Sequence, residues 1–382
     1  FAILLSGCDK LPANGDLDGM WQLMSIQQGN TIKEMKAERL YCSFQLKLFM
    51  LGDKKDPRHY FGYFEHNDNT LHFHTFTFRS EYVEGGKIDE LMKDEKLGLD
   101  PRLDYERAAK ISGRGTWIYT GMGARLEWAL LNYFIDTHIA DGYKFIMPPH
   151  ILNEESGYTA GQFPKFKEDV FWLEGMEPRK FILPTAETAL VNIHRNEILK
   201  EEDLPEKLFA YTPCYRCEAG SYRTEERGMI RGYQFDKVEM FQYATEKNSK
   251  QSFEELVDKA CKLVEGLGLH FRLSKLAAGD CSHSMARTYD VEVWIPSMGI
   301  YKEVSSASNA NDYQARRGNI RYKDAETGKI KFCHTLNASG LATSRVLPAI
   351  VEQCQNEDGS VTVPEVLRKY LGGVEKLYPI KK

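Results

Sequence analysis

The chain has 382 residues, and at roughly 100–200 residues per domain this length indicates two or three domains. Hydrophobic residues make up 42% and charged residues 27%, which excludes a disordered, a collagen-like and a polytopic membrane protein. The 50 basic and 55 acidic side chains give a net charge of −5, so any nucleic-acid contact must come from a local basic patch.

The chain begins with a segment that differs from the rest. Phe1–Leu5 is apolar, and Leu5-Ser6-Gly7-Cys8 resembles a bacterial lipobox in which Cys8 is the lipidated residue. A lipid on Cys8 would attach the protein to a membrane. The alternative is a short apolar strand or a disordered terminus, and no other segment approaches the ~18 apolar residues of a membrane span.

Residues 16–84 are predicted to be β-structure. Strand-like alternation or aromatic runs occur in Leu40–Phe49, Tyr60–Phe64 and Leu71–Phe78, and His66–Asn69 is a turn cluster. The Gly19-Met20-Trp21 sequence resembles the opening of a small lipocalin-like barrel, although too few strands are visible to close one.

The pattern changes near residue 85. Gly85-Gly86 is a break, Ile88–Leu97 is charged and helical, and helices alternate with long strands from Leu103 onward. We therefore predict two domains, residues 1–84 and residues 85–382.

A helix is predicted to begin at Gly123 and to end near Asp141-Gly142. A short strand, Tyr143–Met147, follows and is stopped by two prolines. Gly121-Met122-Gly123 lacks the third glycine of a dinucleotide loop, and no Walker loop occurs. Any nucleotide must therefore be held by arginines and carboxylates.

Polar rows occur on strands that should form the core sheet. Alternation places together Arg216 and Glu218; Phe235, Lys237 and Glu239; Glu303 and Ser305; and Thr335, Asn337 and Ser339. The alternative is the solvated face that antiparallel sheets often have. A solvated face rarely mixes these residue types so compactly, and this favours a ligand-binding face.

Several separated blocks resemble seryl-tRNA synthetase, in the same order, over residues ~95–373. The blocks are Leu183–Glu187, Thr212–Ser221 with Gln234–Met240, Asp290–Pro296, Glu303–Asn309, and Thr335–Ala342 with Arg345. The resemblance implies an α+β, class II synthetase fold, an antiparallel sheet flanked by helices. It also implies a cytoplasmic homodimer joined through motif 1, residues 124–149.

The resemblance also implies an enzyme that uses serine, ATP, Mg²⁺ and tRNA(Ser). Arg216 then grips the α-phosphate and contacts serine, Glu218 accepts from the adenine amino group, and Phe235 stacks on adenine. Arg345 lies near the γ-phosphate, and Glu303 and Ser306 hold Mg²⁺ and phosphates through hard oxygen ligands. The other implied contacts are Val304 and Ser305 with ATP, and Thr185, Ala186, Glu187, Glu239, Asn337 and Ser339 with serine.

Some positions depart from the family pattern. Cys217 and Ala307 replace the usual Ser and Cys, and Ala338 replaces Gly, which predicts an extra methyl beside the serine pocket. Pro348 falls within the motif 3 helix, where a proline costs ~3 kcal/mol unless the helix is kinked. Cys214 and Cys217 form a Cys-x-x-Cys pair without the second pair that a zinc site needs, so they are predicted to be free thiols.

No sustained heptads precede residue 100, although the family normally carries a helical tRNA-binding hairpin there. Two other functions therefore remain open. One is an amino acid:carrier-protein ligase, which lacks the hairpin. The other is a lipoprotein that carries a passenger synthetase domain.

Overall fold

The computed structural model describes residues 103–113, 115–217 and 228–378 in full, and the backbone of seven strands within residues 2–76. The chain divides into two compact units, Phe1–Tyr82 and Val83–Lys382. The charged segment predicted as a helix at Ile88–Leu97 lies outside the described residues, so the boundary at residue 84 stays a prediction.

The first unit contains one antiparallel sheet in the order β1-β2-β4-β5-β6-β7, with β3 paired to β2. Its strands are β1 (Ala2–Cys8), β2 (Gly19–Gln28), β3 (Thr31–Glu34), β4 (Leu40–Gln45), β5 (Leu48–Asp53), β6 (His59–Asn67) and β7 (Thr70–Phe76).

Two outcomes in this unit bear on the predictions. The run Leu40–Phe49, which shows strand-like alternation, spans β4 and the start of β5, and these two strands pair with each other from Gln45 and Leu48. Cys8 ends β1, and its side chain lies outside the described part of the chain, so its lipidation stays a prediction.

The second unit has eight described α-helices. They are α1 (Tyr105–Ser112), α2 (Gly121–Ala140), α3 (Glu154–Thr159), α4 (Ala186–Leu190), α5 (Ser249–Gly266), α6 (Tyr313–Gly318), α7 (Thr343–Gln353) and α8 (Glu365–Arg368). Short 3₁₀ turns occur at Glu201–Asp203, Gly228–Ile230 and Lys369–Leu371.

The described strands of this unit follow in chain order. The short ones before the main sheet are β8 (Leu103–Asp104), β9 (Ile118–Tyr119), β10 (Lys144–Ile146), β11 (Ile151–Asn153), β12 (Trp172–Leu173), β13 (Lys180–Ile182) and β14 (Ile198–Lys200). The remainder are β15 (Glu206–Tyr215), β16 (Gln234–Ala244), β17 (Phe271–Lys275), β18 (Arg287–Ile295), β19 (Ile300–Asn309), β20 (Arg321–Lys323), β21 (Ile330–Phe332), β22 (His334–Ala342), β23 (Val361–Thr362) and β24 (Lys376–Leu377).

The main sheet has seven strands in the order β10-β15-β16-β22-β19-β18-β17. All neighbours are antiparallel except β10 and β15, which are parallel. Helices α5 and α7 pack on this sheet, which confirms the predicted antiparallel sheet flanked by helices. Small sheets β11-β13-β12 and β14-β20-β21 and the pairs β8-β9 and β23-β24 complete the unit.

Helix α2 forms where its apolar stripe predicts, although it begins at Gly121, two residues earlier than expected. The stripe is buried at Leu126, Leu130 and Phe134, because these residues recur at the spacing of one helix face. The helix ends before Gly142, whose φ of 81° is readily adopted only by glycine.

The hydrophobic core and the polar row predicted from the sequence share one face of β16. Phe241 and Tyr243 lie on the same face of this strand as Glu239, and both belong to a hydrophobic cluster that includes Phe181 and Leu190. The Tyr243 hydroxyl donates to the Leu190 carbonyl oxygen at 2.5 Å, which fixes α4 against the sheet. One half of this face is therefore core, and the other half carries the polar row.

Candidate active site

The loop before α4 lies against the polar row of β16. Thr185 is the N-cap of α4, and its hydroxyl accepts from the Glu187 amide at 3.3 Å. The same hydroxyl accepts from Lys237 Nζ at 2.8 Å and donates to Glu239 Oε2 at 3.4 Å. The cap therefore fixes the start of α4 directly to two charged side chains of the sheet.

Two buried carboxyl groups meet at Asn337 on β22. Its Nδ2 donates to Glu239 Oε1 at 3.1 Å and to Glu187 Oε2 at 3.4 Å. Burial and, second, the nearby Glu239 carboxylate raise the pKa of Glu187 to about 7. The sequence placed Glu187, Glu239 and Asn337 in one site, and the structure brings their side chains together.

The Lys237 ammonium forms a buried ion pair with Glu239. The sequence put Lys237 in the same row but gave it no role. Glu187 forms no ion pair with any residue in the described part of the chain. The pocket formed by Thr185, Glu187, Lys237, Glu239 and Asn337, which we call the acidic pocket, therefore holds two carboxyl groups and one ammonium group.

Ser339 and Ala338 lie on β22 with different orientations. Ser339 pairs with Glu239 and alternates with Asn337, so it faces the acidic pocket. Ala338 is fully buried between Met240 and Ala307 on the opposite face. The predicted extra methyl beside the pocket is therefore wrong, because one step along a strand reverses the side-chain direction.

Arg216 connects the acidic pocket to an aromatic ring. It follows β15 directly, and its Nε donates to the Pro184 carbonyl oxygen at 3.2 Å, one residue before Thr185. Its guanidinium carbon lies 5.2 Å from the centre of the Phe235 ring, within reach of a cation–π contact. Glu218, predicted to share a face with Arg216, lies outside the described residues.

A second charged cluster surrounds a bulge in β19. The register passes from Val291 opposite Ser305 to Glu292 opposite Glu303, so Val304 is the extra residue. The prediction that Glu303 and Ser305 share a face is therefore wrong. Ser305 is buried and donates to the Ser339 carbonyl oxygen at 2.6 Å.

The bulge places Glu303 and Ser306 on the face that Asp290 occupies on β18. Arg345, from α7, donates through Nη1 to the Glu303 carbonyl oxygen at 2.7 Å, and the same Nη1 lies 3.8 Å from Glu303 Oε2. Burial and the Glu303 carboxylate raise the pKa of Asp290 to about 7. Sequence reasoning missed Asp290 as a site residue, since its proximity to Glu303 depends on the register of the two strands.

Comparisons with known proteins give the family. A class II tRNA synthetase core domain (G, H, P, S and T) matches residues 171–354, and a lipocalin-like domain matches residues 3–102. The serine–tRNA ligase of Elusimicrobium minutum is 43% identical over 367 residues, which cover 95% of this chain and 84% of that protein. The chain belongs to the serine–tRNA ligase family.

Two further relatives are matched over a smaller share of their own length. Serine–tRNA ligase 2 of Clostridium acetobutylicum is 70% identical over 284 residues, 73% of this chain and 66% of that protein. The seryl-tRNA synthetase of Pyrococcus horikoshii, solved in complex with ATP, has a TM-score of 0.70 and 36% identity, covering 75% of this chain and 63% of that one. The chain thus spans slightly less than two thirds of these two relatives.

Membership of the serine–tRNA ligase family confirms the resemblance seen in the sequence and the class II fold of the second unit. The lipocalin-like match agrees with the resemblance at Gly19-Met20-Trp21, although it tests no side chain there. No described helix is long and apolar enough to cross a membrane.

Proposed function

We propose that this chain is a serine–tRNA ligase: it joins serine to ATP as seryl-adenylate and then transfers the seryl group to tRNA(Ser). The observation that carries the proposal is the hydrogen bond from Arg216 to Pro184. It places a guanidinium, suited to a phosphate, beside a buried acidic pocket, suited to an amino acid.

The acidic pocket supports an amino acid as substrate. Glu187 and Glu239 are both buried, and Lys237 pairs with Glu239, so a ligand ammonium group would stabilise the ionised form of Glu187. Asn337 and Ser339 add polar groups suited to the serine hydroxyl. A site that hydrogen-bonds a substrate hydroxyl rejects an analogue lacking it by roughly 10⁴–10⁵, so alanine is expected to be a poor substrate.

The nucleotide is assigned to the part of the sheet next to the acidic pocket, where Arg216 follows β15 and Phe235 lies on β16. Phe235 stacks on adenine, and Glu218 accepts from its amino group. Arg216 holds the α-phosphate while a serine carboxylate oxygen attacks phosphorus and pyrophosphate leaves. Arg345 holds the γ-phosphate. These groups act by positioning and by neutralising charge that develops in the transition state, and no covalent enzyme intermediate is needed.

The β19 backbone completes the nucleotide site in this proposal. Val304 and Ser305 are buried and shape the strand beneath the phosphates. They contribute through the β-bulge at Val304, because this bulge places Glu303 and Ser306 on the face of the sheet that carries Asp290.

Residues around Asp290 fit a divalent cation. Asp290 Oδ1 is buried and has no hydrogen-bond partner among the described residues, and Glu303 lies beside it. Carboxylate and hydroxyl oxygens of Asp290, Glu303 and Ser306 are ligands that Mg²⁺ prefers. When bound, the ion neutralises phosphate charge, and Arg345 does the same from the helix side.

The second step uses the same site. A hydroxyl oxygen of the terminal tRNA ribose attacks the seryl carbonyl carbon, and AMP leaves. The acidic pocket keeps the ammonium in place during this attack, since its contacts do not involve the reacting carbonyl.

A homodimer is proposed through residues 124–149, where large apolar side chains are exposed. They are Trp128 (57% exposed), Ile139 (52%), Phe145 (38%) and Met147 (83%), and Ile151 (51%) lies just beyond. Exposed apolar clusters of this kind mark protein interfaces. ATP and tRNA place the reaction in the cytoplasm, and a membrane attachment is proposed only through a lipid on Cys8.

The test is ATP–pyrophosphate exchange with serine, alanine and glycine, on the wild-type chain and on Glu187→Gln. Glu352→Gln is a matched control, because Glu352 is also a buried acceptor and bonds Ser297 away from the pocket. We expect serine-dependent exchange that Glu187→Gln impairs and Glu352→Gln retains. Exchange with glycine or alanine but not serine would support the carrier-protein ligase instead.

A further inference from the structure

Gln314, in α6, bridges three elements around the acidic pocket. Its side chain is 1% exposed, and its Nε2 donates to Glu187 Oε1 at 2.7 Å and to the Ala160 carbonyl oxygen at 3.0 Å. Its Oε1 accepts from the Thr335 hydroxyl at 2.7 Å. Every polar atom of the amide therefore has a partner.

The direction of this amide is fixed by chemistry. The Ala160 carbonyl oxygen can only accept, so the Gln314 nitrogen must face it, and the amide oxygen must face Thr335. The second N–H of Gln314 then points at Glu187. Reversing the amide would set its oxygen against two acceptors, so Gln314 can only donate to Glu187.

Charged and polar groups face Glu187 from every element around it. Glu239 and Lys237 lie on β16, Arg216 follows β15, and Asn337 lies on β22. Burial and Glu239 disfavour the ionised carboxylate, while Gln314, Lys237 and Arg216 favour it. The charge of Glu187 thus depends on a close balance in which Gln314 is the shortest direct contact.

We propose that Gln314 is a positioning residue of the amino acid site, which holds Glu187 as a hydrogen-bond acceptor directed at the substrate ammonium group. The inference rests on the proposed function, since it assigns the ammonium of serine to Glu187. Gln314 itself does not touch the substrate; it acts through the orientation and charge of Glu187.

The test is the pH dependence of the serine KM in ATP–pyrophosphate exchange for Gln314→Met. The substitution keeps the length of the side chain and removes the donor, so Glu187 is protonated at higher pH than in the wild type. We expect the serine KM to rise about 5- to 50-fold at pH 7 and to lie within about threefold of wild type at pH 9. A purely structural role would raise KM equally at both pH values, and that result overturns the proposal.

Two further variants separate the donor from general packing. Gln353→Met is the matched control, because Gln353 also makes three hydrogen bonds, but all three are to backbone atoms of His270 and Trp294. The ratio of its serine KM to that of the wild type should be the same at pH 7 and pH 9. Thr335→Val removes only the hydroxyl that orients the Gln314 amide, so a smaller change of the same direction is expected even if Gln314→Met folds poorly.

A measurement without turnover keeps this inference distinct from the proposed function. The carboxyl ¹³C resonance of Glu187, assigned by its loss in Glu187→Gln, should titrate at higher pH in Gln314→Met than in the wild type. An unchanged titration midpoint overturns the role of Gln314. A wild-type chain without serine exchange overturns the proposed function, and the Glu187 titration then still decides whether Gln314 controls that carboxyl group.

Discussion

Removal of the Lys237 ammonium tests the charge balance of the acidic pocket most sharply. In Lys237→Met the side-chain length is nearly kept, while Glu239 loses its ion pair and Thr185 loses a donor. The Lys237 and Glu239 side chains are 7% and 1% exposed, so water cannot replace the missing partner. Breaking a buried pair from one side costs about 3–5 kcal/mol.

This cost should appear as a fall of roughly 6–10 °C in the melting temperature at neutral pH, at about 2 °C per kcal/mol for a unit of this size. The effect should depend on pH. The pKa of Glu187 is already raised to about 7, and the Lys237 ammonium opposes that rise, so without it Glu187 retains a proton in the folded state that the unfolded chain has already lost near neutrality. Unfolding then releases a proton, so the variant loses stability as the pH rises from 5.5 to 8.5.

The assay is thermal unfolding of wild type, Lys237→Met and Lys247→Met at these two pH values. Lys247 pairs with Glu326 at the surface, where the side chains are 50% and 74% exposed, so its loss should lower the melting temperature far less than the loss of Lys237 does. Equal losses for the two variants, or a loss for Lys237→Met that is the same at both pH values, would refute the assigned charge balance.

Three other predictions concern different parts of the second unit. Arg216→Ala should lower the exchange rate by roughly 10²–10³ with the fold intact, and a loss below threefold would remove Arg216 from the phosphate site. Gly340→Ala should destabilise the unit by about 1–3 kcal/mol in urea unfolding, because its methyl would overlap His138 Nε2, and adding His138→Ala should restore much of the loss. Met147→Glu should shift the protein from dimer to monomer in sedimentation velocity, and an unchanged dimer would exclude this surface as the interface.

Much of the site could be predicted from strand alternation. The rows Lys237–Glu239 on β16 and Thr335–Asn337–Ser339 on β22 appear in the structure as contacts around Glu187 and Gln314. Regular strands have a period of two, so residue spacing alone assigns their faces. The position of α2 followed from its apolar stripe in the same way.

The remaining features depend on information that spacing does not contain. The extra residue at Val304 changes which side chains accompany Glu303, and only the register with β18 reveals it. Asp290 and Gln314 reach the site from distant parts of the chain, so no local pattern distinguishes them from structural polar residues.

The central claim is that the acidic pocket activates serine as an adenylate. Its most direct test is to incubate the chain with ATP, Mg²⁺, an amino acid and hydroxylamine, and to quantify the amino acid hydroxamate formed from the trapped adenylate. We predict serine hydroxamate from the wild-type chain, at least ~10⁴-fold less alanine hydroxamate, and loss of the serine product in Glu187→Gln. Equal trapping of serine and alanine, or serine trapping that Glu187→Gln leaves unchanged, would contradict the account.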